Sequence, residues 1–276
     1  MSKTLLDINF KLEFAKKLVG GVIVDVENDV HAKIAQKSGA RGVAPITILG
    51  KDKVQTMPDL TLIANIYDAV AIPIFGKIQI GHTIEAHIME RAGASFVDEN
   101  ENVDKPPDDI EHIDKTKFET PFSCGAKKLG DIVNAVAKGA AIIRLYEKED
   151  ANIVSLGSKL QKIKDKLKKV KELDQKQPDD PELDKIVEEE KCPKDQLIKL
   201  AKLDKIPIPI FASGFFATPA NGAELMKRGF DGVFINTKVF SNNDNPIALI
   251  RGICKAVANY KDTEALIAAS SGFTFT

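Results

Sequence analysis

The chain has 276 residues, with 39 Lys plus Arg against 40 Asp plus Glu and 43% hydrophobic residues. That balance gives no reason to expect a nucleic-acid or membrane partner, and the length suffices for one large core, because α/β barrels reach this size undivided. Cys124, Cys192 and Cys254 are odd in number, far apart and without metal-type spacing, which gives no zinc motif and points to three reduced thiols in a cytoplasmic protein.

Residues 1–20 mix acidic residues with amphipathic spacing and lack a long apolar core, so they predict a surface helix rather than a signal peptide or membrane span. From Gly20-Gly21 onward the chain repeats a short apolar run, a turn and an amphipathic helix. Eight strands are predicted, at 21–26, 39–46, 71–78, 94–99, 121–126, 140–146, 206–213 and 231–237. Four of them follow near-identical punctuation: SGARGV at 38–43, AGASFV at 92–97, KGAAII at 138–143 and RGFDGV at 228–233. In each, a glycine ends a helix where a left-handed residue is wanted. Eight strand-helix units predict a single (β/α)8 barrel domain spanning 1–276, with a doubly wound open sheet as the alternative.

In a barrel the chemistry sits at the C-terminal strand ends. The first strand ends at Asp25, and the third, within IPIFGKIQIGH (72–82), carries Lys77. A lysine in an apolar strand is salt-bridged, snorkels to solvent, or serves as a neutral amine able to form a Schiff base with a sugar carbonyl. Asp25 and Lys77 come from alternate strands, so they can share an interior layer as a carboxylate–amine pair. The fourth strand ends in Asp98-Glu99-Asn100-Glu101, the fifth in Ser123-Cys124-Gly125 and the sixth in Arg144-Leu145-Tyr146. Cys124 reads as a buried filler rather than a reactive thiol. His82 and His87 are five apart and share no helix face, so no metal site is assigned.

After the seventh strand, Thr218-Pro219 starts a helix, where barrel enzymes often hold a phosphate. Phe215, Phe216 and Lys238, however, occupy places where small residues would let backbone approach one. Between strands 6 and 7 lies a charged insert, about 157–204, in which Leu160, Ile163, Leu167, Val170 and Leu173 form an apolar stripe along a basic helix. The stripe suits packing onto its own barrel or docking of another subunit. QPDDP (177–181) breaks that helix before an acidic segment, DKIVEEE.

The segments GGVIVDV, HAKIAQKSGA, GKIQIGHTIEAHIMERAGASFVDEN, HIDKTKFETPFSCGAKKLG and FASGFFATPANGAELMKRGFDGVF together resemble the synthase subunit of pyridoxal phosphate synthase, the glutamine-dependent route to vitamin B6. The resemblance implies a barrel that forms hexamers and dodecamers and condenses a pentose phosphate, a triose phosphate and ammonia from a glutaminase partner, with no bound cofactor. It further implies that Lys77 takes the pentose as an imine, that Asp25 lies beside it, and that Asp98 shares the site. Gly214, Asn236 and Thr237 fall where the family binds phosphate.

The departures all fall at the site. The family carries a second lysine after strand 6, in Arg-Thr-Lys before a glycine-rich loop; here the stretch is Arg144-Leu145-Tyr146-Glu147-Lys148, and Tyr146 or Leu145 replaces that lysine. Neither side chain can form an imine. The glycines after strands 7 and 8 are replaced by Phe215 and by Asn236-Thr237-Lys238, and the lid after strand 2 is shortened to ITILGKDKVQTM. The expectation is a non-catalytic subunit assembling with an active relative or a glutaminase. The alternative is an active or weakly active synthase, or a lysine-dependent barrel lyase with a changed substrate.

Overall fold

Each apolar run becomes a strand, and every strand but the fourth leads into an α-helix before the next, the fourth being followed among the described residues by a 3₁₀ turn at Lys115–Lys117, so the computed structural model is a barrel of eight parallel strands. It describes residues 5–49, 54–100, 111–147, 153–176, 180–203, 205–214, 216, 218–241 and 244–271. The strands are β1 (Gly21–Val26), β2 (Gly42–Pro45), β3 (Phe75–Ile78), β4 (Phe96–Glu99), β5 (Phe122–Ala126), β6 (Ile142–Tyr146), β7 (Ile210–Gly214) and β8 (Gly232–Ile235). Neighbours in sequence are neighbours in the sheet, and β8 pairs back onto β1, with Ile23 opposite Phe234. The last seam, between β2 and β3, is made by the bridge of Val43 to Ile74 and by the Val43 N–H, which donates to Pro73 at 2.9 Å. The open-sheet alternative is therefore excluded.

The helices are α1 (Leu5–Lys16), α2 (Asp29–Lys37), α3 (Leu60–Ala69), α4 (Thr83–Arg91), α5 (Leu129–Ala137), α6 (Ile153–Lys176), α7 (Pro181–Glu190), α8 (Lys194–Ala201), α9 (Pro219–Lys227), α10 (Lys238–Ser241), α11 (Pro246–Ala258) and α12 (Thr263–Ser270). The repeated punctuation does what its glycines imply: Gly39, Gly93, Gly139 and Gly229 sit at φ of 95°, 86°, 89° and 94°, just past α2, α4, α5 and α9. Thr218 caps α9, its hydroxyl accepting from the Asn221 N–H, with Pro219 in the first turn.

Two expectations need refinement. Helix α1 does lie at the surface, with Phe10, Glu13 and Lys16 exposed, but its other face closes the bottom of the barrel, where Ala15 and, just past the helix, Leu18 are buried among Ile23, Phe75 and Phe234 and the Phe14 ring stacks on Phe96 at 5.0 Å. Lys11 fixes it further by donating to the carbonyls of Phe118 at 2.7 Å and Lys115 at 3.1 Å. Second, the insert begins at Ile153 rather than at 157 and comprises α6, α7 and α8. The α6 stripe is consumed by the chain itself, for Leu160, Ile163 and Val170 are buried in the core and Leu167 and Leu173 pack against it. Its charges also pair internally, Lys166 with Glu190 and Lys169 with Glu182 on α7. The apolar stripe therefore packs onto its own barrel rather than standing open for another subunit to dock. Where a shortened lid loop is expected after β2, Thr47–Leu49 and Val54–Thr56 pair as an antiparallel hairpin.

Candidate active site

Along a strand, every second side chain faces the same way, and this period divides the barrel interior into two regions. At the bottom, Ile23, Phe75, Phe96, Ile142, Phe211 and Phe234 form an apolar cluster. Two residues further along the same strands stand Asp25, Lys77, Asp98, Arg144 and Ser213, so the chemistry begins where the apolar plug ends. Asp25 and Lys77 are each 2% exposed, Asp98 is fully buried and Arg144 is 4% exposed. Lys77 does not snorkel to solvent.

Arg144 organises this layer. One guanidinium nitrogen reaches both oxygens of Asp25, at 2.7 and 3.0 Å, and the other terminal nitrogen donates to Asp98 at 2.8 Å. Its Nε donates to the Ser213 hydroxyl at 2.9 Å, and the group lies 4.3 Å from the centre of the Phe234 ring. Ser123 donates a short hydrogen bond to the remaining Asp98 oxygen. Burial raises the Asp25 carboxyl above its ordinary value, although the charges of Arg144 and Lys77 both lower it. Burial likewise opposes the Arg144 cation, but Asp25 and Asp98 together outweigh it and raise its pKa. The geometry thus brings together Lys77, Asp25 and Asp98, as anticipated, and adds Arg144, which sequence reasoning passed over. The signal was available: an arginine inside Ile142-Ile143-Arg144-Leu145 calls for a partner by the same logic as Lys77.

The mouth is shaped by the substituted positions. Leu145 is fully buried in the outer core, whereas Tyr146 shares the inward face of Arg144, and its ring lies so close that a Cβ on Gly125 would sit 3.0 Å from it. Tyr146, not Leu145, therefore stands at the rim; Lys148 and Phe215 lie outside the described residues. At the ends of β7 and β8, the Asn236 N–H donates to Gly214 at 3.1 Å. The Asn236 side chain accepts from the Lys238 N–H at 3.2 Å, and the Thr237 carbonyl accepts from Phe240 at 2.9 Å, so this end is turned inward on itself as the start of α10. Phe216 is buried, its ring 3.5 Å from where a Gly214 Cβ would be.

A second buried ionic cluster faces outward from β4 and β5. Glu99 pairs with Lys115 at 2.6 Å and contacts His112 at 3.2 Å, with the Cys124 sulfur 3.7 Å away. Burial alone would raise the Glu99 carboxyl, but the His112 hydrogen bond and the Lys115 charge prevail and hold it at about 2. Burial pushes the Cys124 thiol far up, which fits a filler rather than a nucleophile. His82 pairs with Glu85 and His87 stacks on Phe118; among the described residues no cluster could hold a metal ion.

The SOR/SNZ family model matches residues 7–213. The chain is 38% identical over 268 residues to pyridoxal 5'-phosphate synthase subunit PdxS of Methanothermobacter thermautotrophicus, covering 95% of this chain and 89% of that protein. It is 37% identical over 270 residues to the PdxS subunit of Francisella tularensis subsp. novicida, covering 96% and 92%. Among solved structures, N-acetylmannosamine-6-phosphate 2-epimerase from Clostridium perfringens superposes with a TM-score of 0.50 at 12% identity, covering 82% of this chain and 88% of that one, a likeness of fold alone. Among the described residues no helix is long and apolar enough to cross a membrane.

Proposed function

The chain belongs to the SOR/SNZ family, and from that premise we propose that it is a non-catalytic subunit of a vitamin B6 synthase assembly, occupying positions in hexameric or dodecameric rings beside a catalytically intact relative. The observation that carries this reading is Tyr146 at the rim of β6, where the family's second imine-forming lysine is expected. A synthesis that hands its intermediate from one lysine to another has no second covalent station here. The inward-turned Asn236–Lys238 segment and the buried Phe216 support the same reading, because both crowd the ends where a phosphate would approach backbone. Occupying ring positions acts by mass action: a partner that binds only the folded state stabilises it by RT times the logarithm of concentration over dissociation constant.

A second reading has its own support in the buried group of Lys77, Asp25, Asp98 and Arg144. In that reading Lys77 Nζ attacks the pentose phosphate carbonyl, water leaves, and the imine is retained as condensation with ammonia and a triose phosphate proceeds. One experiment separates the two. The chain is supplied with pentose phosphate, triose phosphate and ammonium salt, product is followed by the absorbance of its aldehyde, and lysine adducts are trapped with borohydride. The proposal expects no product and no adduct beyond Lys77, together with mixed rings in native mass spectrometry after co-expression with an intact relative. Product at a rate comparable to that relative refutes the non-catalytic assignment, and a monomer in every preparation refutes the assembly role.

A further inference from the structure

One step of the strand period above the charged layer, Asn100, Gly125 and Tyr146 come to the same inward face, two residues past Asp98, Ser123 and Arg144 respectively. The Asn100 N–H donates to the Ile78 carbonyl at 3.3 Å, which carries the strand geometry of β4 one residue beyond its end. Asn100 is 1% exposed, yet its Oδ1 has no hydrogen-bond partner among the described residues. A Cβ on Gly125 would collide with that oxygen and would lie 3.0 Å from the Tyr146 ring. The amide oxygen therefore sits inside the mouth, over Gly125 and beside the ring. Leaving a buried acceptor unpaired is costly, and buried polar atoms in folded proteins nearly always have a partner. The group that completes this one is a donor entering the mouth.

We propose that Asn100 is a recognition residue for an uncharged polyol at the barrel mouth, its Oδ1 accepting from a hydroxyl once the Tyr146 ring swings aside. Tyr146 is half-buried at the rim, and side chains in such places change rotamer readily. A polyol suits what lies beneath, because hydroxyls are donors and the layer supplies acceptors: the carboxylates of Asp25 and Asp98 and the hydroxyl oxygens of Ser123 and Ser213. Every nitrogen of Arg144 already donates to this layer, and the Lys77 charge also acts on Asp25. A phosphate would meet the carboxylates here and the crowded ends of β7 and β8 above. The inference rests on that crowding, and so on the reading given under the proposed function, but it does not depend on an imine at Lys77.

The test uses ribitol, which carries no phosphate and, having no carbonyl, cannot be held at Lys77 as an imine. The full chain and Asn100→Leu, in which an apolar group of similar size replaces the amide, are titrated by calorimetry and their melting temperatures compared. The expected result is binding to the parent, weakened at least about tenfold by Asn100→Leu. The variant should melt no lower than the parent, because it removes an unpaired oxygen rather than a hydrogen bond. Tyr146→Ala takes away the covering ring and is expected to bind ribitol more tightly. No binding by the parent, equal binding by Asn100→Leu, or a lower melting temperature for that variant overturns the assignment. Unchanged affinity in Tyr146→Ala overturns the part given to the ring, and ribitol 5-phosphate binding more tightly than ribitol overturns the uncharged class. The product assay decides separately whether the chain catalyses, so failure here and failure of the non-catalytic reading are told apart.

Discussion

Replacing Arg144 by methionine leaves two buried carboxylates, Asp25 and Asp98, without the group that bonds both. Methionine approximates the arginine stem, so the change removes charge and four hydrogen bonds, three to the carboxylates and one to Ser213, while largely filling the space. Breaking a buried ion pair from one side costs about 3–5 kcal/mol. Against a total stability of roughly 5–15 kcal/mol, that is a large fraction. The loss depends on pH, with a definite sign. The Asp25 carboxyl is already raised in the folded state by burial, so the folded form binds more protons than the unfolded form above the ordinary value of 3.8, and its contribution falls as pH rises. Removing Arg144 takes away the largest opposing charge and raises this carboxyl further, at about 1.4 kcal/mol per pKa unit. The deficit of Arg144→Met relative to the parent is therefore expected to be larger at about pH 8 than at about pH 5 in urea denaturation followed by circular dichroism. A deficit below about 1 kcal/mol, the size of an exposed pair, or one equal at both pH values, refutes the reasoning.

Glu99, held at about 2 by His112 and Lys115, has a depressed carboxyl, so its contribution is present above the ordinary value of 4.5 and is lost as pH falls from there toward about 2. Glu99→Gln is expected to flatten that acid limb, by up to about 3 kcal/mol, in denaturation curves taken across the interval. Gly232→Ala is expected to lower the melting temperature, since its Cβ would sit 2.2 Å from the Phe211 ring, and overpacking costs about 1–3 kcal/mol. Adding Phe211→Leu should recover part of that loss in thermal denaturation if the clash is its cause.

The frame was legible because it is written in local terms: apolar runs of strand length, and glycines such as Gly39 and Gly229 whose positive φ marks the end of a helix. Asp25 and Lys77 were legible for a different reason, as ionisable residues in or at the end of apolar strands, whereas Asp98 entered only through the family resemblance. Arg144 escaped because an arginine near a strand end reads as solvated, and only the inward parity it shares with Ile142 shows otherwise. The environment of α1 was not legible, since its partners Phe96, Lys115 and Phe118 lie far along the sequence and leave no trace in its own pattern. The inward turn at Asn236 also depends on contacts that no single segment contains, the bond to Gly214 among them.

The closure of the barrel floor by α1 has a consequence for synthesis. Lys11 is bonded to residues 104 and 107 positions downstream, and Phe14 stacks on a ring of β4. At roughly 5–20 residues per second, the ribosome needs about 5–20 s to extend the chain that far. The helix is made first, yet its docking surface does not exist until the chain has grown past residue 118. For that interval Phe14, Ala15 and Leu18 have no floor to cover, and the nascent chain presents them as an uncovered apolar stripe. Completion of the barrel is thus what turns that stripe from a liability into its base.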